Sequence, residues 1–136
     1  MKEANIELVK AVLVAIEQGT LPDTLVTHDM AAWTLTSGDT DKEKFAGGVK
    51  LLSIVFGGTL KYSVDRVVAD GDDVWLEAQS NGRLIDGQSF HNHHIFQFHV
   101  DGGLVSEIRE YMNPIIVEQK LLPLFQQVAA QAAKGA

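Results

Sequence analysis

The feature that most constrains this chain is the stretch 87–114, GQSFHNHHIFQFHVDGGLVSEIREYMNP. Side chains alternate across a strand, so Phe90, Asn92, His94, Phe96, Phe98 and Val100 fall on one face. His91, His93, Ile95, Gln97 and His99 fall on the other. Asp101, Gly102 and Gly103 supply turn chemistry, and the chain returns through 104–112 as a second strand. On the return Ile108, Glu110 and Met112 share a face, with Arg109 and Tyr111 opposite. Closing the hairpin at Val100 and Val105 sets His94 beside Glu110. An imidazole and a carboxylate on an otherwise apolar face are costly to bury without a purpose. That pair is the leading candidate for chemistry.

The remaining segments supply a frame for this hairpin. Residues 5–18 place Ile6, Val9, Val12, Leu13 and Ile16 at helical spacing, and Gly19 ends the helix. A strand over 27–36 holds Ala31, Trp33 and Leu35 in alternation. After the loop SGDTD, Asp41 caps a helix running to about residue 56, with Phe45, Val49, Leu52 and Phe56 inward. Strands follow over 61–69 and 73–84, joined by a turn at Asp70-Gly71-Asp72. Asn113-Pro114 then opens a terminal helix that Pro123 kinks or splits. Long consecutive antiparallel strands curl, and helices must cover their apolar side. The expected class is α+β: one domain over 1–136, a curved antiparallel sheet wrapped with helices into a cone with an internal pocket.

The strand over 73–84 carries Val74, Leu76, Ala78 and Ser80 on one face and Trp75, Glu77, Gln79 and Asn81 on the other. A turn at Asp86-Gly87 that pairs His94 with Gln79 brings Glu77 diagonally across. Glu77, Gln79, Asn92, His94 and Glu110 then converge on one face, walled by Trp33, Trp75, Phe96, Phe98, Ile108 and Met112. Apolar walls with a few convergent polar groups describe a small-molecule site. In this arrangement Glu110 serves as general base or acid, His94 as its partner and Glu77 as a second acid/base or orienting group. Gln79 and Asn92 donate hydrogen bonds to substrate oxygen. The expected ligand is an apolar small molecule, and the reaction an isomerisation, aldol-type cyclisation, dehydration or hydrolysis. The opposing reading leaves His94 and Glu110 as a mutually satisfied polar pair in a binding or scaffold module. The other sheet face, with Val74, Leu76, Ala78, Ile95 and Tyr111, is then too apolar to stay wet and is expected to form a homodimer.

Several classes are disfavoured. His91 and His93 have a spacing that can bind zinc, but His99 lies roughly 20 Å further along the strand, so no metal is expected. No glycine-rich phosphate loop, nucleotide fingerprint or nucleophile elbow occurs, and no cofactor is expected. The net charge of −7 recommends neither nucleic acid nor an anionic membrane. No run approaches the ~18 apolar residues of a membrane span. The charged opening MKEANIELVK is unlike a signal peptide, and cysteine is absent. A cytoplasmic protein is expected.

Three local motifs carry a resemblance: IEQG before TLPD, DGQSFHNHHIFQF, and DGGLVSEIREY. Together with the order of elements they resemble the SnoaL-like, ketosteroid-isomerase-like branch of the nuclear transport factor 2-like superfamily, over nearly the whole chain. The resemblance implies the cone fold and frequent pairing into dimers, but its members range from enzymes to non-catalytic transport factors. Where ketosteroid isomerase carries a tyrosine and two aspartates, this chain has Val12, Thr34 or Leu35, and His94. Where limonene epoxide hydrolase carries an Arg-x-Asp pair and a last-strand aspartate, it has Glu77, Gln79 and Glu110. The aldol-type polyketide cyclases place an acid/base carboxylate on the last strand, a position that Glu110 matches.

Overall fold

A computed structural model describes residues 2–134. The chain runs α1 (Lys2–Glu17), β1 (Val26–Thr34), β2 (Gly38–Asp41), α2 (Lys42–Val55), β3 (Lys61–Asp70), β4 (Asp73–Arg83), β5 (Ser89–Asp101) and β6 (Leu104–Met112). It ends in α3 (Pro114–Ile116), a π-helical turn (Val117–Leu121) and α4 (Leu122–Lys134). The strands form one open, curved sheet in the order β2-β1-β6-β5-β4-β3, antiparallel except where β1 runs parallel to β6. Helices cover its concave side, the α+β cone that the pattern predicts.

Local chemistry explains most boundaries. Asp41 is the N-cap of α2, accepting the backbone N–H of Lys44 at 2.8 Å. Gly19 ends α1 with φ +78, and a Cβ there would meet Ser53 Cβ at 2.6 Å, so no larger residue fits. Pro123 cannot donate a backbone hydrogen bond. The turn before it widens, with the Leu122 N–H reaching back to the Val117 carbonyl. The SGDTD segment, expected as a loop, contributes β2, whose Asp41 lies opposite Ala31.

Two apolar clusters hold the cone. In the first, Val9, Val12, Leu13 and Ile16 of α1 pack on Met30, Ala32, Val74, Leu76, Phe96, Phe98 and Ile108 of the sheet. In the second, Val55, Phe56 and Leu60 meet Leu84 and Phe90 beneath Leu121 and Leu124 of the C-terminal helical segment. Each large apolar side chain so buried contributes about 1.5–3 kcal/mol. The gap between the two clusters is the cavity.

Two registers set which side chains enter it. Across the β5–β6 turn Val100 pairs with Val105, but the next pair is His99 with Glu107. Ser106 is the extra residue of a β-bulge, and its hydroxyl donates to the His99 carbonyl at 3.2 Å. The bulge lets Val105 and Ile108 both turn inward and carries Glu110 to the same face. In the β4–β5 ladder Ala78 pairs with His94, Ser80 with Asn92 and Leu76 with Phe96. This is one residue away from the expected Gln79–His94 pairing, and one residue exchanges the two faces of a strand. Val74, Leu76, Ala78 and Ser80 therefore face the cone, and Trp75, Glu77 and Gln79 face out.

Candidate active site

The cavity has a volume of about 190 Å³. Its apolar wall comes from both clusters: Phe45 and Leu52 of α2, Leu60, Phe90 and Phe96 around the sheet, and Phe125 of α4. Thr34, Thr36, Ser37, Thr40 and Lys44 contribute polar groups from β1, the turn after it, β2 and α2. On the sheet wall Tyr62, Ser80, Asn92, His94 and Glu110 come together.

His94 is the centre of that group. It is 9% exposed, and its Nδ1 lies 2.8 Å from Glu110 Oε2. Its Nε2 lies 2.7 Å from the Ser80 hydroxyl. The ring stacks on Phe96, with centroids 5.5 Å apart, and Tyr62 meets it edge-on at 5.6 Å. Such packing leaves the imidazole little freedom to rotate. An ionised Glu110 accepts the Nδ1 proton, which places the lone pair on Nε2 and makes Ser80 its donor.

Tyr62 sits on β3 directly opposite Ser80. Its backbone N–H is taken by Glu17 Oε2 at 2.7 Å. Burial raises the phenol pKa well above its ordinary value, and the charges of Glu110 and Glu17 add to the rise. The phenol therefore stays protonated and can only act as a neutral donor or acceptor near pH 7.

The expected constellation divides. Asn92, His94, Phe96, Glu110 and Met112 line the cavity. Phe98 and Ile108 lie on the same face but deeper, fully buried in the first cluster. Glu77, Gln79 and Trp75 do not reach the cavity, a consequence of the one-residue register difference. Glu77 pairs with Arg66 at 3.4 Å on the surface, and Gln79 donates to Asp65 at 2.9 Å. Trp75 is 46% exposed. Trp33 is also outside, since Met30, Ala32 and Thr34 are the inward residues of β1. Its ring lies under the Arg109 guanidinium at 4.7 Å and beside Tyr111 at 5.0 Å.

Asn92 is buried, and its amide is held by the backbone around it. Its Oδ1 accepts from the backbone N–H groups of His93 (2.8 Å) and Asn113 (3.3 Å), and its Nδ2 donates to the Asn113 carbonyl at 3.2 Å. These bonds fasten β5 to the start of the C-terminal helical segment, and they use one of the two N–H groups of the amide. Sequence reasoning missed Ser80 and Tyr62 as site residues. The apolar run Val74, Leu76, Ala78 at period 2 marks the buried face of β4, and Ser80 continues it. Among the described residues no group of three or more metal-ligating side chains converges. Among the described residues no helix is long and apolar enough to cross a membrane.

An open sheet wrapped on helices around a lined cavity defines a cone-type α+β protein. No family model matches the chain, and no curated protein matches it. Solved structures do. A protein described as a SnoaL-like polyketide cyclase, from Jannaschia sp. CCS1, is 18% identical, with a TM-score of 0.70 over 88% of this chain and 92% of that one. An NTF2-like protein from Anabaena variabilis is 21% identical, with a TM-score of 0.69 over 81% and 90%. An LEH-like epoxide hydrolase from M. tuberculosis is 18% identical, with a TM-score of 0.69 over 96% and 98%. The fold is the one that these SnoaL-like and NTF2-like structures share.

Proposed function

We propose that the cone is an enzyme site for acid–base chemistry on an apolar, oxygen-bearing small molecule, with His94 and Glu110 as its proton-transferring pair. The observation that carries this reading is the 2.8 Å bond between His94 and Glu110 on the wall of a largely apolar cavity. A paired acid and base next to bound substrate favours proton abstraction and return, the common element of isomerisation, cyclisation, dehydration and hydrolysis. That structures of similar fold include proteins described as a cyclase and an epoxide hydrolase is consistent with this range. Glu77 has no part in it, being outside the cavity.

A test that needs no substrate identity is hydrogen–deuterium exchange at the α-carbon of small apolar ketones, followed by NMR in D₂O. The wild-type protein should accelerate exchange of at least one ketone. Glu110→Gln keeps the volume of the side chain but cannot accept a proton, and should lower the rate by at least ~10²-fold, the lower end for general acid–base catalysis. Equal rates in the two proteins would leave His94 and Glu110 as a structural pair and favour the binding-module reading.

We further propose that the outer sheet face pairs with a second copy of the chain. Support comes from the exposure of Trp75, Ile95 and Tyr111, which lie on adjacent strands of that face. Val74, Leu76 and Ala78, expected in this contact, belong to the core instead.

A further inference from the structure

Ser80, His94 and Glu110 are joined in one line, hydroxyl to Nε2 at 2.7 Å and Nδ1 to carboxylate at 2.8 Å. Both ring nitrogens are thereby engaged, and Nε2 is bonded to a Ser80 oxygen on the same cavity wall. With the Nδ1 proton directed at Glu110, the Ser80 hydroxyl donates to Nε2, which raises electron density on Oγ. A hydroxyl, an imidazole and a carboxylate in this order are the parts that make a serine a nucleophile, whatever the fold that holds them. Ser80 is 2% exposed and lines the cavity, so its oxygen is shielded from bulk water yet borders the ligand space.

We propose that Ser80 is the nucleophile of an acyl-transfer reaction and that the cone accepts esters of small apolar carboxylic acids. The inference rests on the acid–base site proposed above and names its substrate class. The Ser80 oxygen attacks the ester carbonyl carbon, forming an acyl C–O bond while its proton passes to His94 Nε2. The bond to the alcohol oxygen breaks, and that oxygen takes the proton from Nε2 as the alcohol leaves. Water then gives a proton to Nε2 and attacks the acyl-serine, releasing the carboxylic acid and returning the proton to Ser80. Glu110 holds the imidazole in one tautomer and balances its positive charge in both halves.

The negative charge on the carbonyl oxygen needs a donor. Backbone N–H groups beside Ser80 belong to strands paired on both sides, to β3 and to β5, so a side chain has to serve. Tyr62 stands directly opposite Ser80, lines the same cavity and has no hydrogen-bond partner for its hydroxyl among the described residues. Its phenol is the donor, and at about 190 Å³ the cavity takes a short apolar acyl group rather than a long chain.

The test is active-site labelling of the full-length protein with a fluorophosphonate, read by intact mass, alongside hydrolysis of p-nitrophenyl butyrate. One adduct per wild-type chain, absent in Ser80→Ala and slowed at least ~10²-fold in Glu110→Gln, is the expected result. Tyr62→Phe should slow hydrolysis by ~10²–10³-fold, the usual effect of removing one oxyanion donor. The native chain has no cysteine, so Ser80→Cys introduces a single thiol. Paired with His94, that thiol should react with iodoacetamide well below the ordinary thiol pKa of about 8.5. An unlabelled wild-type protein, an adduct that persists in Ser80→Ala, or an ordinary pH profile for the thiol would each overturn the nucleophile. Ketone exchange that persists in those cases leaves the acid–base pair standing, so the two readings fail separately.

Discussion

Glu110 is a diagonal neighbour of His94, since the residue directly opposite Glu110 in the β5–β6 ladder is Phe96 and the one opposite His94 is Met112. The diagonal reach still closes a 2.8 Å bond. Had the ladder continued from Val100 and Val105 without the extra Ser106, Tyr111 would lie opposite His94 and Glu110 would point to the outer face. One residue at the far end of the hairpin therefore decides whether the site has a carboxylate.

Deleting Ser106 should show this dependence. Val105 and Ile108 are both fully buried, and an unbulged β6 cannot turn both inward. Either the strand exposes one of them or the turn must re-form. Since burying one such side chain is worth about 1.5–3 kcal/mol, the deletion should cost at least that much in denaturant unfolding and remove activity. Unchanged stability together with unchanged activity would mean that the bulge does not set the face of Glu110.

The long hairpin was legible because the aromatic residues of its first strand, Phe90, Phe96 and Phe98, alternate with His91, His93 and His99, but the extra Ser106 that brings Glu110 inward was not. Caps and stops were legible for a similar reason, since Asp41, Gly19 and Asn113 have few conformational alternatives. Register was harder to read. The turn over 84–88 admits pairings that differ by one residue, and the polar side chains of Glu77 and Gln79 suggested convergence with His94. The apolar series Val74, Leu76, Ala78 argued for the opposite face, and burial decided in its favour. Ser80 and Tyr62 gave no chemical signal of their own, because a serine and a tyrosine on strands become notable only when the sheet sets them beside an imidazole.

Glu77→Gln should leave turnover within about twofold of wild type. The Glu77 carboxylate is half exposed and its pair with Arg66 is of the surface kind, worth about 0–1 kcal/mol. Steady-state kinetics on any substrate of the cone settle the point beside Glu110→Gln. A loss as large as that of Glu110→Gln would mean that the β4 face assignment is reversed.

His99 should titrate above its ordinary value of about 6.5. Its Nδ1 is hydrogen-bonded to Asp73 at 2.9 Å, which raises its pKa, with smaller contributions from the charges of Asp73, Asp72 and Glu107. A folded-state pKa above the unfolded one means that protonated His99 stabilises the fold below the unfolded value. That contribution is lost as pH rises through the folded value. The pair is exposed, so the effect on melting is small and the direct measurement is NMR titration of the ring protons. Asp73→Asn should lower the midpoint; an unchanged midpoint would remove Asp73 as the cause.

The last expectation concerns the outer sheet face. Ile95 lies between Glu77 and Tyr111 in the ladders, and Gln97 lies between Trp75 and Arg109. Trp75, Ile95 and Tyr111 are 46%, 42% and 38% exposed, a run of apolar surface that a second copy can cover. A two-fold contact uses the same patch on both chains, so one substitution at its centre acts twice. Sedimentation at micromolar concentration should give twice the 14.8 kDa of the chain. Ile95→Asp would bury an unpaired carboxylate on each side, and at about 1.4 kcal/mol per copy should weaken association roughly a hundredfold. The cone lies on the opposite face, so the monomeric variant should keep its circular dichroism and its chemistry. A wild-type particle of 14.8 kDa, or an Ile95→Asp protein that still sediments as the dimer, would move the contact elsewhere or remove it.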